Sequence, residues 1–235
     1  MRLEKASTKA IKYALMNFHY AKAIPSVQSA FSVFNEKNEW CGVICYSIGA
    51  NKSIGTFAKL PIGAVCELVR VALNGKQEST SKALSLSLKL VKKNNPLLKL
   101  IVSYADIDQN HNGIIYQATN WYYLGETAQG QSAFIINGRK THNKTIHSKG
   151  LVQSLESVRK HLDPNATKFY SKGKRKYIYP LDKSLIPLCK SLSKPYPKKE
   201  SKAQEVLPVA QAVSNGQEGF DSTPALKTSL ISRKL

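Results

Sequence analysis

Two opposite charges, Glu67 and Arg70, interrupt an otherwise apolar stretch, residues 64–73, reading AVCELVRVAL. An unpaired charge buried in a core strand is disfavoured by several kcal/mol, so a strand that keeps both has a use for them. On an unbroken strand residues three apart point to opposite faces, which predicts that one of the pair faces a site while a loop satisfies the other. Asp106 follows the apolar run 97–105, at the carboxyl end of a strand, where open α/β sheets bind ligands. A carboxylate there can take a proton or order a substrate, and so can the imidazole of His111 on the same loop, histidine being the common general base of enzymes. An Asx turn through Asp108 and a loop histidine bonded to backbone are the plain structural alternatives. Tyr104, Tyr116, Trp121, Tyr122 and Tyr123 surround that loop in sequence. Most belong to a core, with one or two free to stack on a flat ligand.

Ser79, Thr80, Ser81 and Lys82 open a segment rich in Leu, Lys and Ser. Free N–H groups at a helix start, with a cation beside them, suit an anionic group; ordinary caps and a solvated lysine are the alternative. The elements that must position these residues follow from patterning. Residues 7–22 read as a helix, capped by Ser7 or Thr8 and apolar at Ile11, Ala14, Leu15 and Phe18, with Pro25 ending it. Residues 27–34 and 40–48 form a hairpin. A Gly-punctuated loop covers 49–63. Residues 64–73 form a strand and 80–94 a helix, because the leucines there lack β-branching and the run stops at Asn94-Asn95-Pro96. With the strand at 97–105 this gives a βαβ-like unit and at least one parallel pair. A short helix at 113–120, strands at 121–124 and 133–136, a helix at 148–162 and an aromatic, basic hairpin at 169–180 complete the order.

Charge points to the partner. The chain carries 35 basic against 15 acidic residues, a net +20. Residues from 198 onward hold six cations and four anions, so +18 falls on residues 1–197, and 139–194 alone carries fourteen basic against three acidic residues. Such an excess attracts a polyanion, and nucleic acid is the leading candidate over a merely solvated basic surface. The Lys/Arg run at 172–176, flanked by Phe169, Tyr170, Tyr177 and Tyr179, fits a ribbon gripping phosphates. Cys41, Cys45, Cys66 and Cys189 form no C-x-x-C pair, which predicts reduced core thiols and no structural metal. There is no long uncharged apolar run and no apolar segment behind MRLEKASTK, so neither a membrane span nor a secretory signal is expected, and the location implied is the cytoplasm. The expected division is a domain at 1–140, a basic helical and hairpin extension at 141–194 and a disordered tail at 195–235.

Four blocks then resemble one family in order and spacing. ELVR at 67–70, ESTSK at 78–82, IVSYAD at 101–106 and QNHNGIIYQATNWYYLG at 109–125 are similar to the Mom family of bacteriophage DNA-modification proteins, over about residues 10–140. The resemblance implies an α/β, GNAT-like acyltransferase fold. It also implies an enzyme that adds a methylcarbamoyl, glycinamide-type group to the exocyclic N6 of adenine in double-stranded DNA, protecting it from restriction. Asp106, Glu67, His111 and Tyr116 are then the catalytic candidates. Arg70, Ser79, Ser81, Lys82 and Ser103 would hold a small-molecule donor, and Asn120, Tyr123, Arg139, Lys140, Lys172, Lys174, Arg175 and Lys176 the DNA. Lys82 stands where the family usually has Arg, and Asn110 where it usually has Gly. Lys keeps the charge without the bidentate fork, and Asn tolerates the left-handed conformation. The usual Q/R-x-x-G-x-G/A phosphate loop of GNAT folds is absent, with Gly75 alone nearby, so the donor is either acyl-CoA-like or another anionic molecule. The family has been linked to iron, for which His111, His142 and His147 are the available histidines, at no recognisable ligand spacing. A conventional GNAT N-acyltransferase on a protein or small amine, and a non-catalytic DNA-binding protein, are the other readings these residues admit.

Overall fold

In the computed structural model residues 1–48 and 54–197 are described. The first strand, β1 (Arg2–Lys5), precedes the helix α1 (Thr8–Asn17), and a hairpin of β2 (Ser29–Phe34) and β3 (Trp40–Ser47) follows. Then come β4 (Val65–Leu73), α2 (Thr80–Asn94), β5 (Leu100–Asp106), the single turn α3 (Ile114–Gln117) and β6 (Tyr122–Glu126). The chain continues through β7 (Gly130–Ile136), β8 (Arg139–His142), α4 (Asn143–Ser148), α5 (Leu155–His161), β9 (Thr167–Ser171), β10 (Lys174–Pro180) and α6 (Ile186–Leu192). Seven strands make one mixed sheet in the order β1-β2-β3-β4-β5-β10-β6, in which β4 and β5 are the parallel pair. A smaller sheet, β8-β7-β9, stands beside its own apolar cluster of Phe134, Ile146, Val158 and Ala166.

Local chemistry explains the helices that cover the large sheet. The Ser7 hydroxyl accepts the Ala10 N–H at 3.2 Å, starting α1, whose Ala14 and Leu15 are buried with Val43, Cys45 and Ala72. Ser79 caps α2 by accepting the Lys82 N–H at 3.2 Å. That helix buries Ala83, Leu84, Ser87, Leu88 and Val91, a helical stripe. Ser87 donates to the Leu84 carbonyl at 2.8 Å and accepts from the Tyr46 hydroxyl at 2.6 Å, so its polar group is satisfied inside the core. The expected class, α/β with a mixed sheet and one parallel pair, is the one observed.

Several expectations change. The polar β1 was not anticipated, because RLEK has no apolar alternation and gains its place by pairing with β2 at the sheet edge. Helix α1 stops at Asn17 rather than 22, and the helix expected at 148–162 is confined to α5 at Leu155–His161, with the separate short helix α4 at Asn143–Ser148 before it. The segment 169–180 is not a hairpin: β9 pairs with β7 in the small sheet, and β10 crosses into the large one. There β10 lies between β5 and β6, with Tyr177 and Ile178 fully buried toward its two faces. A boundary at residue 140 therefore cuts a single sheet, and the segment read as an extension supplies one of its inner strands. Tyr196 donates to the Trp121 carbonyl at 2.5 Å, while the rest of the tail, from 198, and residues 49–53 of the loop lie outside the described residues. Among the described residues no helix is long and apolar enough to cross a membrane.

Gly42 shows how close these strands come. Its φ is +123°, and a Cβ there would lie 2.1 Å from the Ala72 carbonyl oxygen. Gly42→Ala is expected to destabilise the protein by about 3 kcal/mol through strain and overpacking, lowering Tm by roughly 6–12 °C in thermal unfolding.

Candidate active site

Facing the single step from Cys45 to Tyr46 on β3, β4 advances two residues, from Leu68 to Arg70. Val69 is the extra residue of a β-bulge. A slip of one residue exchanges the faces of everything beyond it. Glu67 and Arg70 consequently line the same cavity. Their expected separation to opposite faces fails because it assumed a strand without a bulge.

The cavity itself comes from a parting of strands. Parallel pairing of β4 with β5 runs from Val65/Leu100 to Leu68/Ser103 and stops there, although β4 continues to Leu73 and β5 to Asp106. Between the diverging ends lies a space of about 340 Å³, bordered by residues 67–71, residues 104–106, His19 and Tyr20 beyond α1, residues 110–116 and Lys174. It sits at the carboxyl ends of a parallel pair, the place predicted for Asp106.

Tyr20 donates its hydroxyl to Asp106 Oδ2 at 3.2 Å, and Asp106 Oδ1 accepts the Asp108 N–H at 3.1 Å. The Asx turn and a place at the cavity thus coexist in one carboxylate. His19 stacks on Tyr20 at 4.4 Å between ring centroids, and Tyr20 meets His111 edge-on at 5.4 Å. Burial, with the Arg70 and His111 charges adding, pulls the His19 pKa down to about 4. Burial and the charge of Asp106 push the Tyr20 hydroxyl up to about 12. At neutral pH His19 is an uncharged imidazole and Tyr20 a protonated donor. Neither was singled out in the sequence, where an HY pair just past a helix carries no distinctive spacing.

Tyr116 borders the same cavity with its ring buried. Its hydroxyl donates to Ser103 Oγ at 2.8 Å, and Ser103 in turn donates to the Leu68 carbonyl at 2.8 Å. This relay ties α3 to the last paired residue of the fork, and burial holds the Tyr116 pKa up at about 12. Ser103 is a structural bridge, fully buried with its hydroxyl engaged on both sides, and not a donor contact. Arg70 Nη1 donates to the Val69 carbonyl at 2.7 Å, and its Nε is buried without a hydrogen-bond partner among the described residues.

The start of α2 does not join this site. Ser79 caps the helix, Ser79 and Ser81 hydroxyls are 3.0 Å apart, and Lys82 Nζ lies 3.6 Å from Glu36. Glu78 accepts the Glu36 N–H at 2.7 Å, so two carboxylates stand where an anionic donor was expected. None of these residues borders the cavity.

The expected DNA contacts divide. Arg175 is a clamp, with Nη1 donating to Asn112 Oδ1 at 2.7 Å and the His111 carbonyl at 3.1 Å, while Nε lies 3.2 Å from Glu126. Tyr123 is 7% exposed and packs on Tyr177 at 5.2 Å, a core position closed to a base. Asn120 takes a left-handed turn conformation, φ +60°. Lys176 covers the Phe57 ring at 4.1 Å. Lys140 lies 3.6 Å over Phe169 and 3.7 Å from Asp108. Arg139, Lys172 and Lys174 remain exposed. Asp108 also accepts from the Ser171 hydroxyl at 2.8 Å and the Lys172 N–H at 3.0 Å, fastening β9 to the loop that carries Asp106. Among the described residues no group of three or more His, Cys, Asp or Glu side chains is placed to hold a metal ion. His142 and His147 do not border the cavity with His111. Among the described residues these three histidines therefore do not come together as a ligand set for the iron that the resemblance implied.

The His19 environment has a consequence for stability. In the unfolded chain the imidazole takes a proton near pH 6.5, whereas the folded state resists it down to about 4. Stability present above about 6.5 is lost as pH falls toward about 4, because the unfolded state then binds more protons. His19→Gln is expected to lose less Tm than the parent between about pH 7 and pH 5, measured by circular dichroism.

Comparison with solved structures gives distant likenesses of fold. The dodecameric spermidine N-acetyltransferase of Vibrio cholerae has a TM-score of 0.44 at 9% identity, covering 79% of this chain and 96% of that one. The manganese complex of the spermidine/spermine N-acetyltransferase SpeG, also from Vibrio cholerae, has a TM-score of 0.41 at 11% identity, covering 78% and 94%. A Bacillus subtilis acetyltransferase in complex with CoA has a TM-score of 0.40 at 10% identity, covering 77% and 98%. No curated protein matches. The Mom protein family model matches residues 1–198. That span takes in every strand described and all residues around the cavity, and it supports a modification or group-transfer function. The chain belongs to the Mom protein family.

Proposed function

We propose that this protein modifies DNA by transferring a methylcarbamoyl, glycinamide-type group to the exocyclic N6 of adenine. The observation that carries the reading is the convergence of Glu67, Arg70, Asp106, His111 and Tyr116 on one cavity at the fork of β4 and β5, in a chain of the Mom family. The exocyclic amine forms its new bond to the donor carbon that becomes the methylene of N6–CH2–CO–NH2, as the bond from that carbon to the donor's leaving group breaks and the leaving group departs with the electron pair. The N6 proton passes to Asp106, whose carboxylate is oriented by the Tyr20 hydroxyl and the Asp108 N–H. Arg70 offers its buried Nε to an anionic part of the donor, which supplies the partner that this group lacks among the described residues. Neutral His19 and protonated Tyr20 orient the base without adding charge to the site.

Duplex DNA reaches the cavity through the basic surface. Arg139, Lys172 and Lys174 are exposed, and Lys174 stands at the cavity itself. Phosphate contacts of this kind position the enzyme without reading sequence.

Digested nucleosides from cells expressing the parent are expected to include a heavier deoxyadenosine substituted at N6, read by mass spectrometry. Asp106→Asn should lower its yield by about 100-fold or more with folding retained, and Tyr116→Phe by less than about tenfold. Unaltered nucleosides from well-expressed parent protein would contradict the proposal. Replacing Arg139, Lys172 and Lys174 together by Gln should flatten the slope of log affinity against log salt by up to about 2.7 units, at about 0.9 per phosphate contact. A salt titration on duplex DNA reads this.

A further inference from the structure

We infer that Ile114 is an apolar wedge that enters the base stack of duplex DNA and fills the gap left by the extruded adenine. The inference rests on the DNA-modification reading above and deepens it. An enzyme that reaches the amine of adenine within a duplex must take the base out of its stack, and proteins that open a base step commonly insert Ile, Leu, Met or Phe into it.

Three consecutive side chains in α3 divide in their surroundings. Ile115 packs against the core and Tyr116 is buried, whereas Ile114 is 54% exposed and borders the cavity. The turn that presents it is fixed from several directions. Asn112 accepts at its carbonyl from the Tyr177 hydroxyl at 2.8 Å and from Gln117 Nε2 at 3.0 Å, and at Oδ1 from Arg175 at 2.7 Å. Gly113, with φ +70°, lies so close to Tyr177 that a Cβ would come within 2.4 Å of the ring. A large apolar side chain is therefore held in solvent by a rigid backbone, which is what insertion into a stack requires. Lys174, His111 and Asn110, all exposed, border the same opening. The lysine is placed for the phosphates that flank an extruded base.

The test uses the full-length protein with clarified extract of a modifying host as the source of donor. Its substrates are an adenine-rich oligonucleotide as a single strand, as a duplex, and as a duplex with an abasic site opposite each adenine. Modified deoxyadenosine is read by nucleoside mass spectrometry. Ile114→Ala should lower the duplex rate by about tenfold relative to the single-strand rate, the abasic duplex should recover most of the loss, and Ile114→Leu should keep the parental ratio. An unchanged ratio overturns the inference. So does an equal loss on all three substrates, which would set Ile114 against the donor or the base instead. A parent protein that modifies none of them overturns the DNA reading and the wedge with it.

Discussion

One additional residue in β4, Val69, decides which side chains can meet. Without it Arg70 would turn to the face where Leu68 packs with Tyr46 and Trp121, and a guanidinium there would lie in an apolar core. With it, Glu67 and Arg70 share a cavity, and pairing with β5 ends at Leu68/Ser103. The fork needs support, because strands that part leave backbone groups without ladder partners. Ser103 provides it at the point of divergence, holding the Leu68 carbonyl on one side and the Tyr116 hydroxyl on the other. The remaining walls are fixed relative to that fork. Arg175 clamps the loop at His111 and Asn112, and Asp108 fastens β9 and its small sheet to the loop of Asp106.

Burial and charge in this space act in one direction. His19 is held neutral and Tyr20 protonated, each by desolvation first and by a neighbouring charge second. A neutral imidazole and a neutral phenol can take and give hydrogen bonds to a purine without the cost of desolvating further charge. In the proposed reaction proton transfer falls to Asp106, whose carboxylate accepts from the Tyr20 hydroxyl. The start of α2 is electrostatically different, since Lys82 is offset by Glu36 with Glu78 beside it. In the proposed reaction the cation at the cavity, Arg70, is the one that meets the donor's negative group.

Much of the architecture was legible in the sequence because it depends on local pattern. The cap at Ser79 and the stripe from Ala83 to Val91 specify α2, the two β-rich runs about Asn35–Glu39 specify a hairpin, and an apolar run ending at Asp106 places a carboxylate at a strand end. What escaped depends on long-range pairing. A bulge at Val69 has no signature when the residue is as good a strand former as its neighbours. The alternation of Tyr177 and Ile178 was obscured by the KRK that precedes them, so an inner strand read as a surface ribbon. Arg175 looked like a phosphate contact until Asn112 and Glu126 came beside it, and Tyr123 shared its aromatic character with the adjacent Tyr122, which is less buried. The roles of Tyr116 and Ser103 came with the family resemblance. Only the fold separates the cavity wall from the bridge behind it.

Amide hydrogen exchange on the protein with and without an adenine-containing duplex tests most directly that the fork between β4 and β5 receives the base. Among the described residues, backbone N–H groups on the facing edges beyond Leu68 and Ser103 have no ladder partners there, so a bound base changes their exchange without unfolding either strand. The account predicts slowed exchange at residues 69–71 and 104–116, beyond any slowing on the basic surface around Arg139 and Lys172. Slowing confined to that surface or to the start of α2, with 69–71 and 104–116 unchanged, would contradict it.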